Sequence, residues 1–162
     1  MVLAVMKQKG FWLGVASGDL ATGQLGWVRQ DQVKLLIETW SIQIDLSQRR
    51  AVLRHLGKRD HVFPVAVGTP TYATPTGRFG VTDRLNTGGP GSPYGCCILA
   101  LSAHQPNVPQ DWPGGDRIAI HGTDNPASVG TAASHGCVRT NDADIRLLIR
   151  RVPLGARVTV RA

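Results

Sequence analysis

The sequence predicts a mainly β fold: two packed sheets, a β-sandwich closing toward a barrel, with one helix near the C-terminus. Three observations predict it. From Trp40 onward, short apolar runs alternate with polar residues at a period of two. Turn-forming residues separate these runs, and both Gly (19) and Pro (10) exceed ordinary usage, as many short strands require. Only one stretch, around residues 145–152, carries helical spacing.

The elements follow in order. Within residues 1–38, Gly26-Trp27-Val28 with Val33 and Leu35 reads as a turn leading into short strand pieces. Trp40, Ile42, Ile44 and Leu46 alternate with Ser41, Gln43 and Asp45, the pattern of a half-buried strand. Ser47 to Arg50 makes a polar turn, and Ala51-Val52-Leu53 begins the return strand. His61 to Val67 is a further apolar run closed by Gly68. Thr74-Pro75-Thr76-Gly77 has Pro second and Gly fourth, which predicts a type I turn before a strand through Phe79 and Val81. Residues 86–94 are a loop by composition, Cys97 to Leu101 suits a buried strand, and residues 102–116 form a Pro- and Gly-rich excursion. Arg117 to His121 is a short strand that delivers His121 at its end. Thr140 or Asn141 caps the helix, with Asp142 and Asp144 in its first turn and Arg150 and Arg151 in its last. Ile145, Leu148, Ile149 and Val152 form its apolar stripe, and Pro153 and Gly155 end it. Arg157 to Arg161 closes the chain as a strand.

Composition narrows the partners. A length of 162 residues suffices for one well-buried domain with a short appendage. The net charge of +7 favours anionic partners such as anionic wall polymers. Aromatic residues are sparse, at 6%, which argues against a stacking platform for nucleic acid. No stretch reaches the roughly 18 apolar residues of a membrane span. Of the three cysteines, Cys96 and Cys97 are adjacent and are expected to stay unpaired as small strand residues, because a vicinal bridge strains the backbone.

Two segments carry chemistry: Ile120-His121-Gly122-Thr123 and Ser134-His135-Gly136-Cys137-Val138-Arg139. A thiol attacks a carbonyl only as thiolate, so Cys137 as nucleophile needs a base, and His121 on a strand end is the candidate. The second ring nitrogen of His121 needs an acceptor, and the Gly122 carbonyl is the expected one. Gly136 permits a tight turn, after which the amides of His135, Gly136 and Cys137 are candidate donors to a developing oxyanion. Arg139 is suited to pair bidentately with a substrate carboxylate. His135 is a second candidate base, with loop ordering the preferred role, and Ser134 is able to bond local backbone. His55, His61 and His104 read as hydrogen-bonded core or surface groups. Zinc held by His121, His135 and Cys137 fits no common spacing, so no metal is expected.

These segments, with the strand from Trp40, Val65-Ala66-Val67-Gly68 and Thr74-Pro75-Thr76-Gly77-Arg78-Phe79, resemble the YkuD-type L,D-transpeptidase catalytic domain over residues 39–162. The segment ending in Gly26-Trp27-Val28 is similar to the closing part of a bacterial SH3-like domain, so residues 1–38 are expected to be a partial SH3-like segment. The resemblance implies a cysteine L,D-transpeptidase that crosslinks peptidoglycan stem peptides. Cys137 would form a thioester with a donor tetrapeptide and release its terminal D-Ala. His121 would serve as base and acid, with Gly122, His135 and Gly136 around the oxyanion. Arg139, Ser134 and Thr123 would line the donor site, with Tyr94 and Trp112 as further contacts from a variable lid over residues 86–116. The resemblance implies no metal or organic cofactor. Alternatives are an L,D-carboxypeptidase, in which water resolves the same thioester, and a non-catalytic wall-binding module. A monomer at the cell wall, outside the membrane, is expected from the substrate. The start of the chain carries no signal sequence, which leads one to expect the natural N-terminus upstream.

Overall fold

A computed structural model describes residues 1–87, 91–108, 111 and 113–162. Thirteen strands are assigned among them. The first three, β1 (Ala4–Lys9), β2 (Trp12–Ala16) and β3 (Gly26–Arg29), form an antiparallel meander. The main body is built from β4 (Trp40–Asp45), β5 (Arg50–His55), β6 (Lys58–Pro64), β8 (Gly77–Asn86), β9 (Cys97–His104), β10 (Arg117–His121), β12 (Val138–Arg139) and β13 (Arg157–Arg161). They make one mixed sheet in the order β12-β10-β9-β8-β13-β4-β5-β6. β7 (Val67–Gly68) and β11 (Ala132–Ser134) pair separately.

The sheet curls until its edges meet. β6 is one edge strand, yet two residues after its end Ala66 bridges Arg139 in β12, the opposite edge. The bridge is reciprocal, Ala66 N donating to Arg139 O at 2.8 Å and Arg139 N to Ala66 O at 3.0 Å. This is the barrel-like closure expected from the sequence. The inward residues of each strand fill it: Ile42 and Ile44, Leu53, Phe63, Phe79 and Val81, Leu99 and Leu101, Ile118 and Ile120, and Val158 and Val160 are all buried. Full burial of such side chains is worth about 1.5–3 kcal/mol each.

The helix α1 (Asp142–Arg151) packs on β9 through Ile145 and Leu148. Asn141 is its cap, accepting from Asp144 N at 2.9 Å. Among the described residues no helix is long and apolar enough to cross a membrane.

Three local expectations are corrected. Residues 73–76 form neither turn nor bend before β8. The Thr74 side chain there is bonded to two other segments, as described below. The stretch 86–116 is not one continuous excursion, because β9 crosses its middle as an inner strand and extends to His104. Finally, Cys96 and Cys97 are joined as a vicinal disulfide. Cys96 lies in the turn before β9, so strand alternation does not separate the two side chains, and both are turned into the core.

Candidate active site

Strand pairing brings the two chemical segments together. β10 and β12 run parallel with Ile120 beside Val138 and His121 beside Arg139. Continued one residue back, that register sets Cys137 level with Ala119. Residues two apart on a strand share a face, so Cys137 and His121 stand on one face, roughly 6–7 Å apart along the strand direction. Both line a cavity of about 650 Å³, together with Tyr94, Arg139, His135 and Gln105.

His121 is 97% removed from solvent, with 3% of its surface exposed. Its Nδ1 lies 2.5 Å from Gly122 O. A carbonyl only accepts, so Nδ1 carries the proton and donates. Nε2 is therefore the basic nitrogen. Burial pushes the imidazole pKa down to about 4; the bond to Gly122 opposes that shift, and the Arg139 charge adds to it. His121 is accordingly neutral at pH 7, the state a base requires. The Tyr94 ring meets the imidazole edge-on at 5.0 Å and fixes its plane.

Cys137 is the one free cysteine. Its Sγ donates to Arg117 O at 3.7 Å. Burial pushes the thiol pKa up, while a backbone hydrogen bond from Ala119 and the Arg139 charge pull it down. The resting pair is thus thiol and neutral imidazole rather than thiolate and imidazolium. A nucleophilic role for the sulfur would require that proton to move during attack.

The loop that presents Cys137 is held from within and from two sides. Ser134 Oγ accepts from Gly136 N at 3.1 Å and donates to Cys137 O at 2.5 Å. With 1% of its surface exposed, Ser134 supports the loop and does not line the cavity. Its hydroxyl also occupies the Gly136 amide, so that amide is not an open oxyanion donor in this arrangement. Gly136 has φ +114°, where L side chains are strained, and a Cβ there would sit 2.4 Å from Gln105 Nε2. Thr123 lies outside the cavity and shapes the turn after β10, accepting from Asn125 N at 3.0 Å. Gly122 N donates to Cys97 O at 3.3 Å, so this amide too is engaged in the fold. His135 lines the cavity and packs against Tyr72 at 4.7 Å. Trp112 lies outside the described residues.

Two supporting residues escaped the sequence reading. Thr74 Oγ1 donates to Gly136 O at 2.8 Å and accepts from Gly68 N at 2.9 Å. Gln105 Nε2 donates to Ala73 O at 2.9 Å and to His135 O at 3.4 Å. Both side chains are buried. Thr74 lies 62 residues from the glycine it holds, and no local signal encodes such a contact. Replacing Thr74 by the isosteric Val leaves two buried backbone groups unpaired. We expect Thr74→Val to lower stability by about 1–3 kcal/mol and to slow Cys137 acylation roughly 10- to 100-fold by loosening the loop. Thr74→Ser should restore both. Thermal melts and acylation rates on the three proteins check this; an acylation rate unmoved in Thr74→Val would separate Thr74 from the site.

Comparison with known proteins agrees with the motif reading. Residues 39–160 match the model of the YkuD family, the L,D-transpeptidase catalytic domain. The chain is 40% identical over 98 residues to a putative L,D-transpeptidase YkuD of Bacillus subtilis, a match covering 60% of this chain and 51% of that protein. The chain thus spans about half the length of that curated relative. Among solved structures it resembles the Ldtfm–avibactam carbamoyl enzyme, with a TM-score of 0.57 and 28% identity over 78% of this chain and 50% of the other. It also shares its fold with L,D-transpeptidase 3 of Mycobacterium tuberculosis in complex with a faropenem-derived adduct, with a TM-score of 0.57 and 18% identity over 76% of this chain and 60% of that one.

Proposed function

The chain belongs to the YkuD family of L,D-transpeptidase catalytic domains, and from that premise we propose that it crosslinks peptidoglycan stem peptides through a thioester on Cys137. The supporting observation is the pairing of one free thiol with a buried, neutral imidazole on the same face of one cavity.

The reaction is the one that family membership implies, with the residues of the cavity in the following roles. A donor tetrapeptide enters the cavity with the carbonyl of its third residue against Cys137. The sulfur forms a bond to that carbon while the thiol proton passes to His121 Nε2. The carbonyl π electrons move onto oxygen, and the Cys137 amide is our candidate oxyanion donor, worth about 3 kcal/mol of barrier. Collapse of the tetrahedral intermediate breaks the bond to D-Ala, whose amine takes the proton back from His121. A side-chain amine of a second stem then attacks the thioester, gives up a proton to His121, and returns the thiol. Arg139 is suited to hold a donor carboxylate: its Nε is buried with no hydrogen-bond partner among the described residues, so its head group has donors to spare. Tyr94 packs beside the reacting centre as a wall for the stem peptide. The substrate places the reaction outside the membrane, in the cell wall.

Incubation with defined disaccharide tetrapeptides followed by mass spectrometry tests the reading. A crosslinked dimer with loss of D-Ala is the expected product. Loss of D-Ala alone would show that water resolves the thioester, making the protein an L,D-carboxypeptidase. No change in the tetrapeptide would refute both.

A further inference from the structure

The three-stranded meander presents a face whose composition is set by register. Lys9, Trp12 and Arg29 lie side by side across β1, β2 and β3, and Lys7, Gly14 and Trp27 form the next row. Rows two residues apart share a face, so these six residues stand together. The opposite face turns Leu13 into the buried interior. On the first face Trp12 keeps 48% and Trp27 41% of its surface exposed, and Phe11, at the β1–β2 turn, keeps 79%. Single exposed apolar residues are ordinary; two half-exposed tryptophans beside two lysines on one sheet face are a larger exposed feature.

The arrangement is ordered. Gly14 has no side chain, and the Trp27 ring lies across it, 3.3 Å from where a Cβ would stand. Lys9 Nζ sits 5.4 Å from the centre of the same ring. Trp12 is the diagonal neighbour of Trp27, roughly 7–8 Å away at backbone level. Arg29 pairs with Asp31 at 2.7 Å, so part of its charge is spent. Lys7 and Lys9 have no acidic partner among the described residues.

We propose that this face binds an anionic glycan polymer. The faces of its sugar rings are apolar and carry partly positive C–H groups, which suit the electron-rich faces of Trp12 and Trp27. Its negative groups complement Lys7 and Lys9, and the net charge of +7 draws such a polymer in from a distance. The choice of a wall glycan over a single-stranded nucleic acid, which also stacks on aromatics, rests on the function proposed above. The meander is tied to the body next to the cavity: Thr22 Oγ1 donates to His104 O at 3.1 Å, and His104 Nε2 donates to Gly18 O at 2.9 Å. His104 is the residue before Gln105, which lines the cavity. A polymer held on this face therefore raises the local concentration of stem peptides at Cys137.

Co-sedimentation of the full chain with insoluble cell walls tests the proposal, using walls that retain or have been stripped of anionic polymers, at low and high salt. The wild type should pellet with intact walls, and less with stripped walls or at high salt. The double variants Trp12→Ala/Trp27→Ala and Lys7→Gln/Lys9→Gln should each weaken binding about tenfold. The lysine pair is exposed and outside the core, so it decides the matter if the tryptophan variant misfolds. Acylation of Cys137 by a soluble donor, measured on the same samples, should not change; its absence in the wild type would instead count against the proposed function. Equal pelleting of wild type and lysine variant, equal binding to stripped walls, or displacement from intact walls by a single-stranded oligonucleotide would each overturn the proposal.

Discussion

Cys137→Ala should reduce acyl-enzyme formation to background while leaving the fold intact. Cys137 sits where the loop leaves Gly136 and enters β12 (Val138–Arg139), and its side chain lines the cavity rather than joining the core cluster. No other thiol is available to substitute, because Cys96 and Cys97 are bridged to each other. Denatured, unreduced protein should therefore titrate with one thiol, and the variant with none. An electrophilic acyl donor such as a carbapenem should add one mass increment to the wild type and nothing to the variant. An adduct that persists on Cys137→Ala would remove Cys137 from the nucleophile role, because neither serine nor lysine chemistry is part of the account.

The second large effect is carried by His121. With its pKa near 4, the imidazole is neutral from about pH 5 upward and protonated only as pH falls through 4. A base must be neutral, so wild-type acylation should stay level from about pH 5 through neutrality and fall below. The thiol pKa is raised by burial, so few molecules carry a thiolate at pH 7. His121→Ala then has only that thiolate fraction to use. Its acylation should drop about 10²- to 10⁴-fold at pH 7 and should climb tenfold per pH unit toward the thiol pKa. The change in slope distinguishes a lost base from a disturbed fold. A wild-type profile that already climbs tenfold per unit between pH 5 and 8 would contradict the thiol–imidazole resting state. The same shift bears on stability. The folded state binds a proton on His121 less readily than the unfolded chain, whose histidine titrates near 6.5. Stability is therefore lost as pH falls from about 6.5 toward 4, by up to about 3 kcal/mol.

Much of this was legible in the sequence because it is encoded locally. The alternation of Ile42 and Ile44, the stripe of Ile145, Leu148 and Val152, and the strand 157–161 all appear as read, since period and burial are properties of neighbouring residues. The Gly122 carbonyl is the partner of His121 because it is the next residue along. What the sequence hid is carried by contacts between distant segments or by competition for one group. Thr74 falls in a turn pattern, but no turn forms there and its hydroxyl serves Gly68 and Gly136. At Ser134 one hydroxyl has two candidate uses, local backbone and the donor site that the resemblance implies, and here it bonds Gly136 N and Cys137 O. Backbone strain argues against a vicinal bridge between Cys96 and Cys97, but Cys96 lies in the turn before β9 and the bridge forms there. Tyr94 could be anticipated only as a lid residue; its edge-on contact with His121 depends on how the turn before β9 folds back over β10.

The most direct test of the account is to quench the reaction of enzyme and tetrapeptide donor in acid, without acceptor, and to map the acylated peptide by mass spectrometry. One acyl group, lacking D-Ala, is expected on the peptide containing Cys137, labile to hydroxylamine as a thioester is. An acyl group on any other residue, or release of D-Ala with no covalent intermediate in wild type and no loss of that release in Cys137→Ala, would contradict it.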